Sequence, residues 1–227
     1  MKRLALQCVA SLSRINMAGD RRLIIMAKAP VAGRVKSRLG QDIGTAPAAN
    51  FYRHTCRAVV SRLSQTRLWE TTLCIAPDTS IHDRIWPPNI RRKPQGEGDL
   101  GERMHRAMMH NQDGPVVLIG TDIPEIRPSD IADAFRNLRN HDVVFGSTPD
   151  GGYWLVGSAS QRYLRSAFRN VRWSTEYALT DTINSFRSQY NGLKVGLVRQ
   201  LNDVDHGVDL LALQALVGRR ILPRRLR

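Results

Sequence analysis

Five short segments carry the residue types that chemistry needs. In LIIMAKAPVAGRVKSRLG, residues 23–40, an apolar run stops and a loop takes over that holds Pro30, Gly33, Arg34, Lys36 and Arg38. A buried strand ending in a cationic loop and then entering a helix can hold a polyphosphate, because open α/β sheets bind ligands at strand carboxyl ends. The plain alternative is a solvated basic turn. The loop also lacks the Gly-Lys-Ser/Thr ending of a P-loop. In VVLIGTDIP, an apolar run delivers Asp122 beside Gly120, where a carboxylate can bind a hard divalent cation that bridges two phosphates. Capping of the helix opening near Pro128, or bracing of its own turn, is the commoner job of such an Asp.

The other three segments add carboxylates and glycines. STPDGGYWLVG sets Asp150, Gly151 and Gly152 between two apolar stretches. That is either a hairpin turn, with Tyr153 and Trp154 as ordinary strand residues, or a stripped backbone open to a substrate, with Asp150 as a base or a ligand for sugar hydroxyls. PQGEGDLGERM gathers Gly96, Gly98 and Gly101 around Glu97, Asp99 and Glu102, which reads as a helix cap or as a mobile loop closing over a base or ribose. LNDVDHGVDL offers Asp203 and Asp205, as caps of a final helix or as partners of Asp122 at a metal.

The elements that must position these groups follow from apolar spacing. Strands are expected at Leu23–Met26, Thr72–Ala76, Val116–Gly120, Val143–Gly146 and Val195–Val198, several of them apolar on both faces. Helical faces are expected from Tyr52, Thr55, Val59 and Leu63, from Leu100, Met104, Ala107 and Met108, and from Ile131, Phe135 and Leu138. Pro128 with Asp130, and Ser174 with Glu176, suit helix N-termini. The repeating β-α order predicts a three-layer α/β/α sandwich with a mostly parallel, doubly wound sheet.

Composition bounds the rest. The 227 residues, 42% of them hydrophobic, suffice for one domain, expected over 21–217, with a flexible extension at 1–20 and a basic tail at 218–227. The stretch LALQCVASL is broken by Gln7 and has no persuasive signal-cleavage site, and Met17 is an alternative start. Cys8, Cys56 and Cys74 form no CxxC pair or disulfide framework, which fits a reduced, cytoplasmic setting. No apolar run reaches membrane-spanning length. A net charge of +14 favours anionic partners without naming one. Nucleic acid is disfavoured, since no nucleic-acid motif is present and the 6% aromatic content forms no stacking platform. Contact of the basic tail with a membrane surface stays open.

Taken together, MAKAPVAGRVKSRL, QGEGDLGERM, GTDIP, PDGGYWLVG, VRWST and the NDVD run resemble the bacterial proteins grouped as GT-A-like glycosyltransferases of uncharacterised role, over roughly residues 21–213. The resemblance implies a GT-A, nucleotide-diphospho-sugar transferase fold. It implies a nucleotide or nucleotide-sugar donor around Ala27, Lys28, Ala29, Pro30, Gly33, Arg34, Lys36 and Arg38, with Gly96, Gly98 and Asp99 closing over it. It implies Mg²⁺ or Mn²⁺ on Asp122, with Asp203 or Asp205 as the candidates to complete the site. Lys36, Asp122 and Asp150 are then the expected catalytic groups, and Asp150, Gly151, Gly152, Tyr153 and Trp173 the walls of the substrate site for an acceptor that the residues do not name. The expected reaction is metal-dependent glycosyl transfer. A guanylyltransferase-like nucleotidyl transfer is the alternative, because GTDIP offers one Asp where glycosyltransferases of this fold usually offer an Asp-x-Asp pair. The NDVD run also departs from the usual DVDTPEDL, with His206, Gly207 and Val208 in place. A degenerate scaffold or a polyanion-binding module is a third reading.

Overall fold

The computed structural model describes residues 21–109, 114–165 and 167–217. The expected extension at 1–20, with Cys8 and Met17, and the expected basic tail at 218–227 lie outside them. Strand β1, Arg22–Lys28, is apolar and buried almost throughout, and it occupies the middle of a sheet with order β3-β2-β1-β4-β6-β5-β7. The other strands are β2 (Glu70–Ala76), β3 (Arg91–Pro94), β4 (Val116–Ile119), β5 (Val143–Ser147), β6 (Tyr153–Ser158) and β7 (Val195–Val198). Pairing is parallel except where β6 runs antiparallel to both β4 and β5.

The period-2 alternation of β1 divides the core. Leu23, Ile25 and Ala27 face helices α2 (Thr45–Ser64) and α4 (Pro128–Asn137), while Ile24 and Met26 face α3 (Leu100–Met108) and α5 (Ala178–Arg187). Three layers result, as expected. The stripe Tyr52, Thr55, Val59 and Leu63 of α2 is fully inward, each buried branched side chain contributing about 1.5–3 kcal/mol. A smaller core joins α1 (Ser37–Ile43), α2 and α6 (Gly207–Val217) through Leu39, Phe51, Val204, Leu210 and Leu213.

The strand order also fixes where a ligand can sit. The chain leaves β1 to build β2 and β3 on one side and returns to build β4 on the other. The carboxyl ends of β1 and β4 therefore flank a topological switch point, where crossover connections part and leave a crevice. This arrangement accords with the fold that the sequence resemblance implies.

Two local expectations are corrected. The helix expected to open at Ser174 and Glu176 opens at Ala178: Ser174 has φ 60, outside the helical range, and the Thr175 hydroxyl instead accepts the backbone N–H of Tyr177 at 3.3 Å. Nor do Asp203 and Asp205 cap α6. Asp209 does, accepting the N–H groups of Asp205 and His206 at 3.1 and 2.7 Å.

Candidate active site

A cavity of about 640 Å³ opens over the carboxyl ends of β1 and β4, within the size range of small-molecule sites. Lys36 lines it. The residue is the N-cap of α1 in a left-handed conformation, φ 46 and ψ 49, which a side chain adopts at a cost of about 1–2 kcal/mol. Only 4% of the side chain is exposed, and its Nζ lies 2.9 Å from Asp122 and 2.8 Å from Asp205. Burial alone would lower its pKa, but the two carboxylates outweigh burial and hold the ammonium above the ordinary lysine range. Arg38 reaches the other oxygen of Asp205 at 3.5 Å.

Two buried side chains hold the loops that present these charges. The Tyr52 hydroxyl accepts the N–H of Lys28 at 2.9 Å and shares a 2.9 Å hydrogen bond with the Thr121 hydroxyl, so one phenol joins the end of β1 to the end of β4. Gln95 is 5% exposed and donates from Nε2 to the carbonyls of Ala27 and Cys74, both at 3.0 Å, tying β1 to β2. Neither residue stands out in the sequence. Tyr52 reads as one member of an apolar helical stripe, and Gln95 carries no charge.

Of the residues expected around a donor, Ala27, Lys28, Arg34, Lys36 and Arg38 line the cavity, whereas Ala29, Pro30 and Gly33 lie behind or beside it. Gly96, Gly98 and Asp99 are not on its wall either. Asp99 and Glu102 form a capping box on α3, and a Cβ at Gly98 would meet the Glu102 carboxylate at 2.2 Å. The glycines there make room for neighbouring side chains, and Gln95 is the wall residue of that loop.

The opposite wall is built by the β5–β6 turn and the segment before α5. Asp150, Gly152, Tyr153 and Trp173 line the cavity, and Gly151 stands behind them. The turn joins the antiparallel strands β5 and β6 as a hairpin, and it lies on the cavity wall. Asp150 Oδ1 accepts the Thr148 hydroxyl at 2.5 Å and the Gly152 N–H at 3.1 Å. The Trp173 ring packs over Gly101, where a Cβ would lie 2.9 Å from it, so the ring is anchored as well as wall-forming.

Asp203 is a cavity residue beside Asp205 and Asp150. Burial first, then the Asp205 charge, pushes its carboxyl up to about 6, with Lys36 opposing and Asp150 adding. The native protein thus binds more protons than the unfolded chain between the ordinary carboxylate range and pH 6, and stability falls as pH rises through that window. Unscreened, the shift is worth roughly 3 kcal/mol, which partial exposure reduces to about 1. Asp203→Asn is expected to raise Tm by about 2–4 °C at pH 7.5 and to leave it unchanged near pH 4, as thermal melts at both pH values will show.

Mg²⁺ and Mn²⁺ take oxygen ligands and are commonly held by one or two carboxylates plus substrate phosphates. Asp122 and Asp205 meet that minimum by converging on one point, the point that Lys36 holds. Asp203 does not complete a closed set: among the described residues no group of three or more His, Cys, Asp or Glu side chains could hold an ion. The donors fit an ion shared with a phosphate ligand, and do not fit a resident one.

Residues 59–175 match a family described as uncharacterised proteins conserved in bacteria (DUF2064). Among solved structures, a protein from Desulfovibrio desulfuricans G20, provisionally described as a nucleotide-diphospho-sugar transferase, is 27% identical, with 89% of each chain covered and a TM-score of 0.77. A 4-diphosphocytidyl-2C-methyl-D-erythritol synthase from Anaerococcus prevotii is 13% identical over 89% of this chain and 97% of that one, with a TM-score of 0.58. A CMP:2-keto-3-deoxy-manno-octonic acid synthetase complexed with CTP is 11% identical over 88% and 99%, with a TM-score of 0.54. No curated protein matches the chain.

Proposed function

We propose a function for a chain that, through the match over residues 59–175, belongs to the bacterial family of uncharacterised proteins: it is a metal-assisted glycosyltransferase that cleaves a nucleotide-sugar at the anomeric carbon. The observation that carries this reading is Lys36, a buried ammonium fixed between Asp122 and Asp205 where β1 and β4 part. The likeness to the D. desulfuricans protein supports it.

The chemistry follows from charge. As the bond between anomeric carbon and phosphate oxygen breaks, negative charge grows on the departing diphosphate. Lys36 is a fixed cation on that side of the cavity, with the exposed Arg34 and Arg38 lining the same wall, and a fixed charge stabilises such a state without reorganising. Asp122, half exposed beside Lys36, would hold a divalent cation jointly with the donor phosphates, and that ion would supply further Lewis-acid neutralisation. Asp150, held by Thr148 and Gly152, is placed to take the proton of the acceptor hydroxyl as that oxygen attacks. Tyr52 and Gln95 keep the ends of β1, β2 and β4 in register, and Lys36, already held by two carboxylates, needs no ordering when the donor arrives.

One observation favours a second reading. The end of β4 carries a single carboxylate, Asp122, followed by Ile123 and Pro124. A lone carboxylate suits nucleotidyl transfer, in which a substrate phosphate attacks the α-phosphorus and pyrophosphate leaves without a protein base.

The leaving group separates the two. The protein is incubated with nucleotide-sugars, and separately with nucleoside triphosphates plus sugar phosphates, in Mg²⁺, Mn²⁺ or EDTA. Release of a nucleoside diphosphate that falls with EDTA and with Asp122→Ala is the expected result. Release of pyrophosphate would replace the first reading by the second, and no release of either by folded protein would overturn both.

A further inference from the structure

Strand β7 lies at one edge of the sheet, and its pairing with β5 ends at Val198. The run 199–205 that follows still brings Asp203 and Asp205 to the cavity, and Asp205 holds Lys36 at 2.8 Å. A run outside a ladder keeps a fixed place only where its groups find partners elsewhere. Its first residue, Arg199, is held from two sides. The Arg199 carbonyl accepts the indole N–H of Trp154 at 3.1 Å, and the guanidinium donates to Asp130 Oδ2 at 3.2 Å. Trp154 belongs to β6, just after the turn that carries Asp150. Its ring is 5% exposed and lies against Gly146 of β5, where a Cβ would meet it at 2.5 Å, so the glycine admits the ring. Asp130 stands in the first turn of α4, beyond the loop that carries Asp122, and the same oxygen accepts the Arg127 N–H at 2.8 Å. The Leu201 N–H adds a tie to the Ser147 carbonyl at 3.2 Å.

Arg199 is thus a junction of the three segments that bring Asp122, Asp150 and Asp205 to one cavity. We propose that Trp154 and Arg199 are positioning residues: together they fix the run that carries Asp205, and through Asp205 they keep Lys36 oriented toward the donor phosphates. Neither has to touch a reacting atom. A shift of about 1 Å in a catalytic group can cost about 10²-fold in rate, so a clamp at the start of the run bears on turnover. Trp154 also lines the cavity, whereas Arg199 lies off its wall and reaches a ligand only through the run. The role in turnover rests on the transferase reading, and the geometry itself does not.

Trp154→Phe keeps an aromatic ring and removes the N–H. Arg199→Met keeps the aliphatic stem, removes the guanidinium at an exposed position, and serves as the test should the Trp154 variant not fold. The full chain and both variants are acetylated with acetic anhydride well below the melting transition, and each lysine is followed by mass spectrometry. The Lys36 side chain is 4% exposed, so its acetylation waits for the residues around it to move. It is expected to react about two- to tenfold faster in Trp154→Phe, the scale of one hydrogen bond. In Arg199→Met the gain is about two- to fivefold, the scale of one exposed ion pair. Lys28 and Lys194 should be unchanged, since a role confined to fold stability would speed all lysines together. With a nucleotide-sugar, kcat is expected to fall about tenfold in Trp154→Phe while the donor KM stays within about twofold. The proposal is overturned by unchanged Lys36 reactivity in either folded variant, by equal acceleration at Lys28 and Lys194, or by unchanged kcat where the parent is active. Faster Lys36 acetylation in a protein that turns over no nucleotide-sugar would sustain the positioning role and remove the transferase reading instead.

Discussion

Lys36→Met should reduce turnover of the nucleotide substrate by about 10²–10³-fold, the scale on which loss of one fixed donor to a developing anion is felt. The same change leaves Asp122 and Asp205 facing each other without the cation between them. Removing one partner of a buried ion pair costs about 3–5 kcal/mol. Half of the Asp122 side chain is exposed and can rehydrate, so about 1–3 kcal/mol is expected here. Lys36→Gly tests the backbone separately. It lacks the ammonium equally, but glycine adopts the left-handed conformation freely, so it should unfold about 1 kcal/mol later than Lys36→Met in denaturant melts while being just as inactive. Turnover within tenfold of the parent in either variant would remove Lys36 from the chemistry.

Gly151→Ala should cost about 2–4 kcal/mol and lower Tm by roughly 5–15 °C. At this position φ is +84, and a Cβ would lie 2.1 Å from the carbonyl oxygen of Glu176, a backbone atom with no flexible end to move aside. The Gly151 carbonyl also accepts the N–H of Leu179 at 3.0 Å. The turn that carries Asp150 and the segment that carries Trp173 are therefore in direct contact, and the variant should lose activity in step with stability. Gly192 supplies the control. Its φ is +78 with nothing within 4 Å of a Cβ, so Gly192→Ala should cost about 1 kcal/mol and leave activity intact. Equal Tm losses in the two variants would show that backbone conformation alone is at work at Gly151.

How far these features were legible depends on the range over which they are determined. Strands β1, β4 and β5 are apolar on both faces and announce themselves, and α2 does so through its inward stripe. Strand β3, RRKP, is a charged four-residue edge without apolar alternation, and nothing local marks it. The carboxylates and the cationic loop were visible as residue types at strand ends. Their arrangement was not: Lys36 and Asp205 are 169 positions apart and meet only because β1 and the run before α6 end on one edge of the sheet. Gly96 and Gly98 are ambiguous for the opposite reason. A glycine-rich loop looks the same whether its missing side chains make room for a ligand or, as here, for Arg106 and Glu102.

Cys56 lies on α2 one turn from Tyr52, buried, with burial pushing its thiol up to about 12. It shares the hydrogen-bonded group of Tyr52 and Thr121 that joins the ends of β1 and β4. A thiol in that state is unreactive toward alkylating reagents until the packing around it opens and solvent reaches it. The rate at which Cys56 is alkylated in the native protein therefore measures how often the floor of the cavity opens, and its slowing by a ligand would report binding in units of opening free energy, with no knowledge of the reaction required.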